Sequence, residues 1–312
     1  MMKKILILML VVSSFTFATE NAIFTSIPLD GKSSGMGGLL SLDSPIKYIS
    51  KKNNSWNVKM SQKNNLGVVD YKEFELSKNT DKFGLGIRYE KSGDILKADK
   101  IGFVTAYKFN IIKIGFNFNL YNVNVSKDVS ATDVIMKEAI AQGIKYEALS
   151  ESKAQGSGVD MAISFDLNKN ITIGYFAKNI KSSLEWKIKN EDNYSETLDK
   201  EGIFSIAYNK ENIEAIGEIE NGDRFNIGIS RNYYKKLDLR VGMSRNLNSI
   251  DNIEAQKSYT VGVGFLPLDI NFNNKKIDLG VDIGYEMKYF GNDDIFNGNS
   301  QDDITFTTYL KY

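Results

Sequence analysis

The sequence predicts an all-β fold, a transmembrane antiparallel β-barrel of about 14 strands. Three observations support this prediction. Apolar and polar residues alternate along most of the chain, so each strand has one apolar face and one polar face. The chain begins with the pattern of an export signal, and its final alternating strand ends in an aromatic residue, Tyr312. Strands of this kind suit a wall between lipid and a hydrated lumen.

The first 18 residues have the three parts of a signal peptide. Lys3 and Lys4 form a positive start, residues 5–12 are an apolar run, and small residues lead to a cleavage position after Ala18. The apolar run is shorter than the ~20 residues that a membrane-spanning helix needs. We therefore expect residues 1–18 to be removed after export; an uncleaved N-terminal anchor is the alternative.

Composition excludes several classes of function. Without the two lysines of the signal, 39 acidic residues face 37 basic ones, which argues against binding to nucleic acid. The sequence contains neither cysteine nor histidine. It therefore has no disulfide, no Ser-His-Asp or Cys-His catalytic set and none of the usual zinc ligands. We expect no catalytic residues, no metal site and no cofactor.

The alternating segments give the strand count. The segment at 171–189 could also be a hairpin, but one long strand there makes long connections fall at one end of the barrel and short ones at the other. Exceptions to that rule are the connections at 220–222 and 268–274. The predicted strands are residues 56–60, 66–77, 82–91, 99–109, 111–126, 157–167, 171–189, 201–209, 212–219, 223–232, 236–246, 257–267, 275–290 and 303–312.

Two segments fall outside the strand pattern. Residues 19–55 carry no sustained period and contain a glycine-rich stretch. Residues 130–149, in the longest predicted outside loop, start with a helix-capping pattern and place Met136, Ile140 and Ile144 on one helical stripe. This helix either packs on the rim of its own barrel or offers a hydrophobic landing site to a ligand.

One internal charge has a predicted position. Arg240 and Met243 fall on opposite faces of the hairpin at 226–246, and a charge facing lipid costs about 2–4 kcal/mol at mid-depth. We therefore expect Arg240 to point into the lumen, where a carboxylate such as Asp282 could pair with it.

Several short motifs resemble the FadL/PorV-like family of outer-membrane β-barrels. They are the hairpin at 226–246, the strand segments YTVGVGF at 259–265 and LGVDIGY at 279–285, and the glycine-rich string Gly35, Met36, Gly37 and Gly38. The resemblance implies a hatch at Gly35–Gly38, within a plug segment of residues 19–55 ahead of a barrel of residues 56–312. It also implies that the protein admits small hydrophobic molecules.

The function expected from the sequence is therefore passage of small hydrophobic molecules across the outer membrane of a Gram-negative-type envelope. The Met136, Ile140 and Ile144 stripe would collect the ligand, and a shift of the hatch would release it. Expected partners are outer-membrane lipid and the barrel-assembly machinery, through the strand ending at Tyr312. The alternatives are a non-transporting scaffold or secretion-associated surface protein, an open general porin and, for the fold, a soluble all-β protein.

Overall fold

The computed structural model describes most of the chain beyond residue 29. The predicted signal peptide, the predicted helix at 130–149 and Tyr312 lie outside the described residues. Among the described residues, no helix is long and apolar enough to cross a membrane. The described ranges are 30–49, 54–65, 69–92, 96–125, 152–187, 193–234, 236–247, 257–272, 275–289 and 301–311.

Fifteen strands occur in the described residues, and their side chains alternate as the sequence predicts. They are β1 (Ser55–Asn65), β2 (Val69–Asn79), β3 (Phe83–Ser92), β4 (Leu96–Phe109), β5 (Ile112–Val125), β6 (Lys153–Asp166), β7 (Ile171–Lys187), β8 (Tyr194–Glu196), β9 (Glu201–Lys210), β10 (Ile213–Glu220), β11 (Arg224–Tyr233), β12 (Leu237–Asn246), β13 (Lys257–Phe272), β14 (Lys275–Tyr289) and β15 (Gln301–Lys311).

Fourteen of these strands close an antiparallel barrel, which confirms the predicted fold class. Each barrel strand pairs with the next along the chain, and β1 pairs with β15 to close the ring. The three-residue strand β8 lies outside this ring and, among the described residues, pairs with the C-terminal part of β7. In the wall, β7 is therefore followed by β9. Closure leaves no free edge in the barrel wall.

Some boundaries differ from the prediction. The segment predicted as one connection at 190–200 contains β8. The connection predicted at 268–274 is much shorter, because β13 and β14 continue to Phe272 and Lys275. The register of β13 shifts between Phe265 and Leu268, where this strand contains its one proline. The shift interrupts the alternation, so the sequence pattern does not show that the strand continues beyond it.

Residues Ile171–Lys187 form one strand, β7, in place of the hairpin that the segment at 171–189 also allowed. Its length is explained by a bulge, because two extra residues of β7 lie opposite Asp160 of β6. Asn179, at the bulge, has a φ of 52°, a left-handed conformation that asparagine tolerates better than most residues. Because two residues are added, β7 presents the same alternate set of side chains to the lumen before and after the bulge.

The two faces of the wall have opposite character. Outward side chains form an apolar belt, and between about 40 and 55% of the surface of many of them is exposed, as for Phe83, Phe116 and Val261. Inward side chains are buried and mostly polar or charged, including Asn119, Glu218 and Thr305. This is the pattern of a barrel with lipid outside and polar groups inside.

The barrel has two distinct ends. The tight turns at 110–111, 211–212 and 234–236 lie at one end, here called the short-turn end, together with the start of β1 and the end of β15. The opposite end is called the long-loop end. Left-handed residues Asn110 and Glu211 make two of the tight turns possible.

A short segment occupies the inside of the barrel. Residues 30–49, here called the plug, contain one helical turn, α1 (Gly31–Ser34), and two 3-10 helices (Leu40–Asp43 and Pro45–Tyr48). The N-cap Asp30 accepts hydrogen bonds from the backbone N–H groups of Lys32 and Ser33. The plug returns to the wall at Ile49, which bridges to Thr80.

Candidate functional site

The plug runs around the lumen and touches nearly every strand of the wall. Helix α1 contacts β13, β14 and β15, and the first 3-10 helix contacts β7 and β9. The second 3-10 helix contacts the five strands β2 to β6. Twenty residues thus close the barrel from one side of the wall to the other. The candidate site is the lumen above and around this plug.

The predicted hatch residues lie in a part of the plug that packs closely against the wall. Gly37 and Gly38 have φ angles of 85° and 71°, which only glycine adopts without strain. Met36, which lies between Gly35 and Gly37, is fully buried. A β-carbon at Gly228 or Gly242 of the wall would overlap the backbone around Met36, so glycine is required on both sides of this contact.

Backbone N–H groups attach the first part of the plug, residues 30–41, to the wall. Gly31 donates to Thr307 Oγ1 at 2.9 Å, and Gly37 donates to Thr260 Oγ1 at 2.7 Å. The N–H groups of Leu40 and Ser41 donate to the two carboxylate oxygens of Glu218 at 2.8 and 3.0 Å. Glu218 is 1% exposed, and wall side chains therefore satisfy plug donors that would otherwise be buried without acceptors.

Charged side chains attach the second part of the plug, residues 42–49, to the wall. Lys47 Nζ lies 3.1 Å from Asp43 and 2.9 Å from Glu75 of β2. Arg88 of β3 donates to the backbone oxygen of Asp43 and to the hydroxyl of Tyr48, both at 3.3 Å. The Tyr48 ring rests against the inward surface of β3, where two glycines leave room for it.

Burial and charge set the ionisation of these plug groups. Burial alone would raise the pKa of Asp43, but Lys47, Lys59 and Arg88 outweigh it and hold that pKa well below its ordinary value. Burial raises the pKa of Tyr48 to about 12. Asp43 is therefore ionised and Tyr48 neutral at neutral pH, as their contacts require.

A small polar cavity remains between the plug and strands β2 to β7. Its volume is about 30 Å³, which is close to the space of one water molecule. Leu40 and Phe176 are its apolar neighbours, and the remaining lining is charged or polar: Asp43, Glu73, Arg88, Glu90, Lys100, Asn117, Asp160 and Lys178. This cavity is too small to hold a hydrocarbon.

Arg240 lies at the short-turn side of the plug. Its Nη2 atom is 2.6 Å from Asp282 Oδ1, and its Nε atom donates to Asp238 Oδ2 at 2.9 Å. Arg240 is 4% exposed and Met243 is on the outer face. The nearby plug residue Lys32 pairs with Glu214 of β10. Together these charges line an open crevice beneath α1.

The bulge of β7 is held from inside the lumen. Asp160 accepts the backbone N–H of Asn179 at 2.9 Å and the side-chain amides of Asn117 and Asn119 at 2.9 and 2.8 Å. The side chain of Asn179 donates to the backbone oxygen of Asp199, just before β9. These bonds replace the strand ladder that is interrupted there.

The lumen changes character toward the long-loop end. There the inward side chains of β4 to β7 form a buried apolar cluster, here called the mouth cluster. It lies above the charged layer, near the places where β5 ends and β6 begins. Its wall members are Ala98, Tyr121, Val123, Ala154 and Leu184, which are joined by Leu198 from the segment between β8 and β9, with Trp186 packed against them.

The sequence analysis missed most of these site residues. The predicted stripe of Met136, Ile140 and Ile144 lies outside the described residues. Arg88 and Glu73 could have been found by the argument used for Arg240, because both are charges in the middle of alternating strands. The partners of the plug carry no such signal, since the plug has no period and its contacts are distant in sequence.

Comparison with solved structures extends over nearly the whole chain. The CymD monoaromatic hydrocarbon channel matches at 11% identity and a TM-score of 0.60, covering 92% of this chain and 98% of that one. The toluene transporter TodX of Pseudomonas putida matches at 10% identity and a TM-score of 0.56, covering 91% and 98%. A FadL homologue of Pseudomonas aeruginosa matches at 10% identity and a TM-score of 0.54, covering 96% and 99%.

Neither family models nor curated proteins match the sequence. The similarity is therefore one of three-dimensional structure at very low sequence identity. It confirms the fold that the sequence resemblance implied: a FadL-like barrel.

Proposed function

We propose that this protein lies in the outer membrane and admits small hydrophobic molecules. The observation that carries the proposal is the mouth cluster, an apolar layer on the inward faces of β4 to β7. The cluster residues are at most 5% exposed, so a hydrophobic ligand would reach them only after the segment that carries Leu198 moves aside. It would then gain about 25 cal/mol for each Å² of apolar surface that it buries. The structural neighbours described as hydrocarbon channels support the same ligand class.

Passage beyond the mouth requires movement of the plug or of the wall beside it. The polar cavity next to the plug has a volume of about 30 Å³, whereas an apolar cavity that holds benzene has about 150 Å³. Charged groups such as Arg88 and Glu90 also line that cavity and disfavour an apolar occupant. A shift of the hatch residues Gly35 to Gly38 remains our proposal for release of the ligand.

The stripe of Met136, Ile140 and Ile144 remains part of the proposal as the collecting surface. It belongs to the connection between β5 and β6, the two strands that carry Val123 and Ala154 of the mouth cluster. A ligand leaving the stripe would thus meet an apolar inner wall. An Ile140→Asp variant should weaken hydrophobic ligand binding, while unchanged binding would remove the stripe from the proposal.

The test compares one substitution at two depths. Val123 lies in the mouth cluster, and Val104 points inward from the neighbouring strand β4 near the charged layer, with 4% exposure. Toluene binding to the purified barrel would be measured by calorimetry. Val123→Asn should weaken binding about tenfold, since it buries an amide against the ligand. Val104→Asn should leave binding within twofold.

Equal loss of binding in both variants would point to general unfolding of the wall, which a thermal melt of each variant would detect. Unchanged binding in folded Val123→Asn would contradict the proposal. A wild-type barrel that binds no toluene, or any similar hydrocarbon, would also contradict it.

A second candidate is a non-transporting outer-membrane scaffold or secretion-associated protein. The plug itself favours this alternative, because it is fastened around the lumen by buried ion pairs and hydrogen bonds. The same binding experiment separates the two, since a scaffold has no affinity for toluene. A protein that co-purifies stably at the long-loop end would support the scaffold.

A further inference from the structure

Two pairs of like charges lie at the upper edge of the apolar belt. Arg245 of β12 is directly opposite Lys257 of β13, and Lys72 of β2 is directly opposite Lys91 of β3. Inward and outward residues alternate along these strands, and all four side chains belong to the outward set. Both pairs lie toward the long-loop end.

Strand register fixes their height. The next outward row below Arg245 and Lys257 is Met243 and Tyr259, and the next row below Lys72 and Lys91 is Phe74 and Tyr89. The apolar belt therefore ends one row beneath each basic pair. This is the level at which the headgroups of the surrounding lipids begin.

These cations have no carboxylate partner within ion-pair distance in the described part of the chain. The row that contains Arg245 and Lys257 continues with Phe225 on one side and Tyr289 on the other. Asp99 is opposite Lys91, but it accepts a hydrogen bond from the Tyr89 hydroxyl at 2.6 Å. Like charges directly opposite each other destabilise a sheet. A bound anion would relieve this repulsion in both pairs.

The outward cations at the short-turn end are arranged differently. Lys78 lies 5.5 Å from the Trp56 ring centroid, and Arg231 lies 5.0 Å from that of Tyr233. Neither is opposite another cation, because the cross-strand neighbours of Lys78 are Trp56 and Leu85. Among these outward cations, pairing therefore occurs at the long-loop edge and not at the short-turn end.

We propose that the pairs Arg245/Lys257 and Lys72/Lys91 bind the phosphate groups of phosphorylated lipids in the leaflet at the long-loop end. Two adjacent cations match one phosphate, which carries several acceptor oxygens and at least one negative charge. The apolar belt directly below would hold the acyl chains of the same lipid. The proposal concerns the outer wall, and it stands whether or not the lumen carries a ligand.

The chain supplies a matched control. Lys153 and Lys187 are also directly opposite each other and exposed. The two outward rows below them contain Gln155 with Glu185 and then Ser157 with Ser183, so this pair stands well above the apolar belt. In water, where Coulomb repulsion is weak, such a pair needs no bound anion.

The experiment measures lipid retained by the purified full-length barrel, using native mass spectrometry after titration with diphosphorylated lipid A or with phosphatidylcholine. We expect wild type to retain lipid A preferentially. Arg245→Gln/Lys257→Gln should weaken lipid A binding at that pair about 30-fold, as about 1 kcal/mol per removed cation predicts, and leave the Lys72/Lys91 site unchanged, so that one fewer lipid A molecule is retained. The control Lys153→Gln/Lys187→Gln should match wild type. Inorganic phosphate at millimolar concentration should not displace the lipid.

A thermal melt gives an independent readout. In neutral detergent, Arg245→Gln/Lys257→Gln should melt at or above the wild-type temperature, because a repulsion is removed. With lipid A present, wild type should gain more stability than the variant. Equal retention of both lipids, equal affinity of the two double variants, or displacement by free phosphate would each overturn the proposal.

Discussion

The two parts of the plug are held in the barrel by different chemistry. Apart from the ion pairs of Asp30 and Lys32 at its start, residues 30–41 are fastened through backbone N–H groups and close contact with wall glycines. Residues 42–49 are fastened through charged side chains, chiefly Lys47, together with Arg88 of the wall. The first part therefore depends chiefly on shape, whereas the second depends on charge in addition to the room that wall glycines leave for Tyr48.

This difference shows how one inward face can serve two purposes. Glycines on β11 to β14 let the plug backbone come close to the wall, whereas charged residues on β2 to β4 surround it with complementary ions. A shape-dependent contact fails when volume is added. A charge-dependent contact fails when one partner is removed or neutralised. Substitutions that add volume and substitutions that remove a charge should therefore affect different parts of the plug.

Arg88→Met should have the largest effect. Arg88 is 7% exposed and lies 3.2 Å from Glu73 and 3.3 Å from Glu90, so its removal leaves buried carboxylates short of a cation. We expect a loss of about 3–5 kcal/mol in the free energy of unfolding, measured with guanidinium in detergent. Arg231→Met, at an exposed site, should cost less than about 1 kcal/mol; similar losses in the two variants would contradict the role given to charge.

Gly242→Val should displace the first part of the plug. The new side chain would overlap the backbone of Met36 and Gly37, which cannot move aside as a flexible side chain can. We expect a cost of about 3 kcal/mol and a rise in conductance across a planar bilayer. Gly217→Val is the control, since nothing lies within 4 Å of a β-carbon there. Unchanged conductance in a folded Gly242→Val barrel would show that the plug is not seated on this glycine.

Glu218→Ala should have a smaller effect. The substitution leaves the buried N–H groups of Leu40 and Ser41 without their acceptor, at an expected cost of about 2 kcal/mol. Glu218→Gln keeps one oxygen acceptor and should cost about half as much. Guanidinium unfolding of both variants measures the difference. A Gln variant as unstable as the Ala variant would instead assign the effect to the lost charge.

Lowering the pH should have the smallest effect on the plug, because conductance should change little between pH 7 and about 4. The pKa of Asp43 and that of Asp30 are both lowered in the folded protein: burial opposes this shift, and neighbouring lysines outweigh it. A depressed pKa adds stability that is fully present above the unfolded value of 3.8 and is lost as the pH falls through the folded value. Conductance should therefore stay low from pH 7 to about 4. A rise between pH 7 and 5 would contradict this assignment.

The wall could be predicted from the sequence because a barrel strand repeats every two residues. That period placed β14 and β15 and put Arg240 on the face opposite Met243. The plug could not be traced in this way, since residues 30–49 have no period and touch strands up to 276 residues away. The mouth cluster was hidden for another reason: Ala98 and Leu184 are apolar residues on an inward face that is otherwise polar.

The small strand β8 and the bulge of β7 were also beyond the pattern. Both depend on contacts between separate segments, such as the bond from Asn179 to Asp199 and the bond between Asp160 and the Asn179 backbone. Alternation has the same parity on both sides of the bulge because two residues are added. The sequence period therefore continues without a visible break and gives no warning of the bend.

We propose that hydrophobic molecules pass through this barrel when the plug shifts. Ser34 Oγ in the plug lies 2.9 Å from Thr305 Oγ1 in β15, and the native chain has no cysteine. Ser34→Cys/Thr305→Cys should therefore form a disulfide, with sulfur atoms about 2.05 Å apart, that ties the plug to the wall. Toluene uptake into vesicles carrying this variant should stop on oxidation and return on reduction. Equal uptake in the oxidised and reduced states would contradict the account.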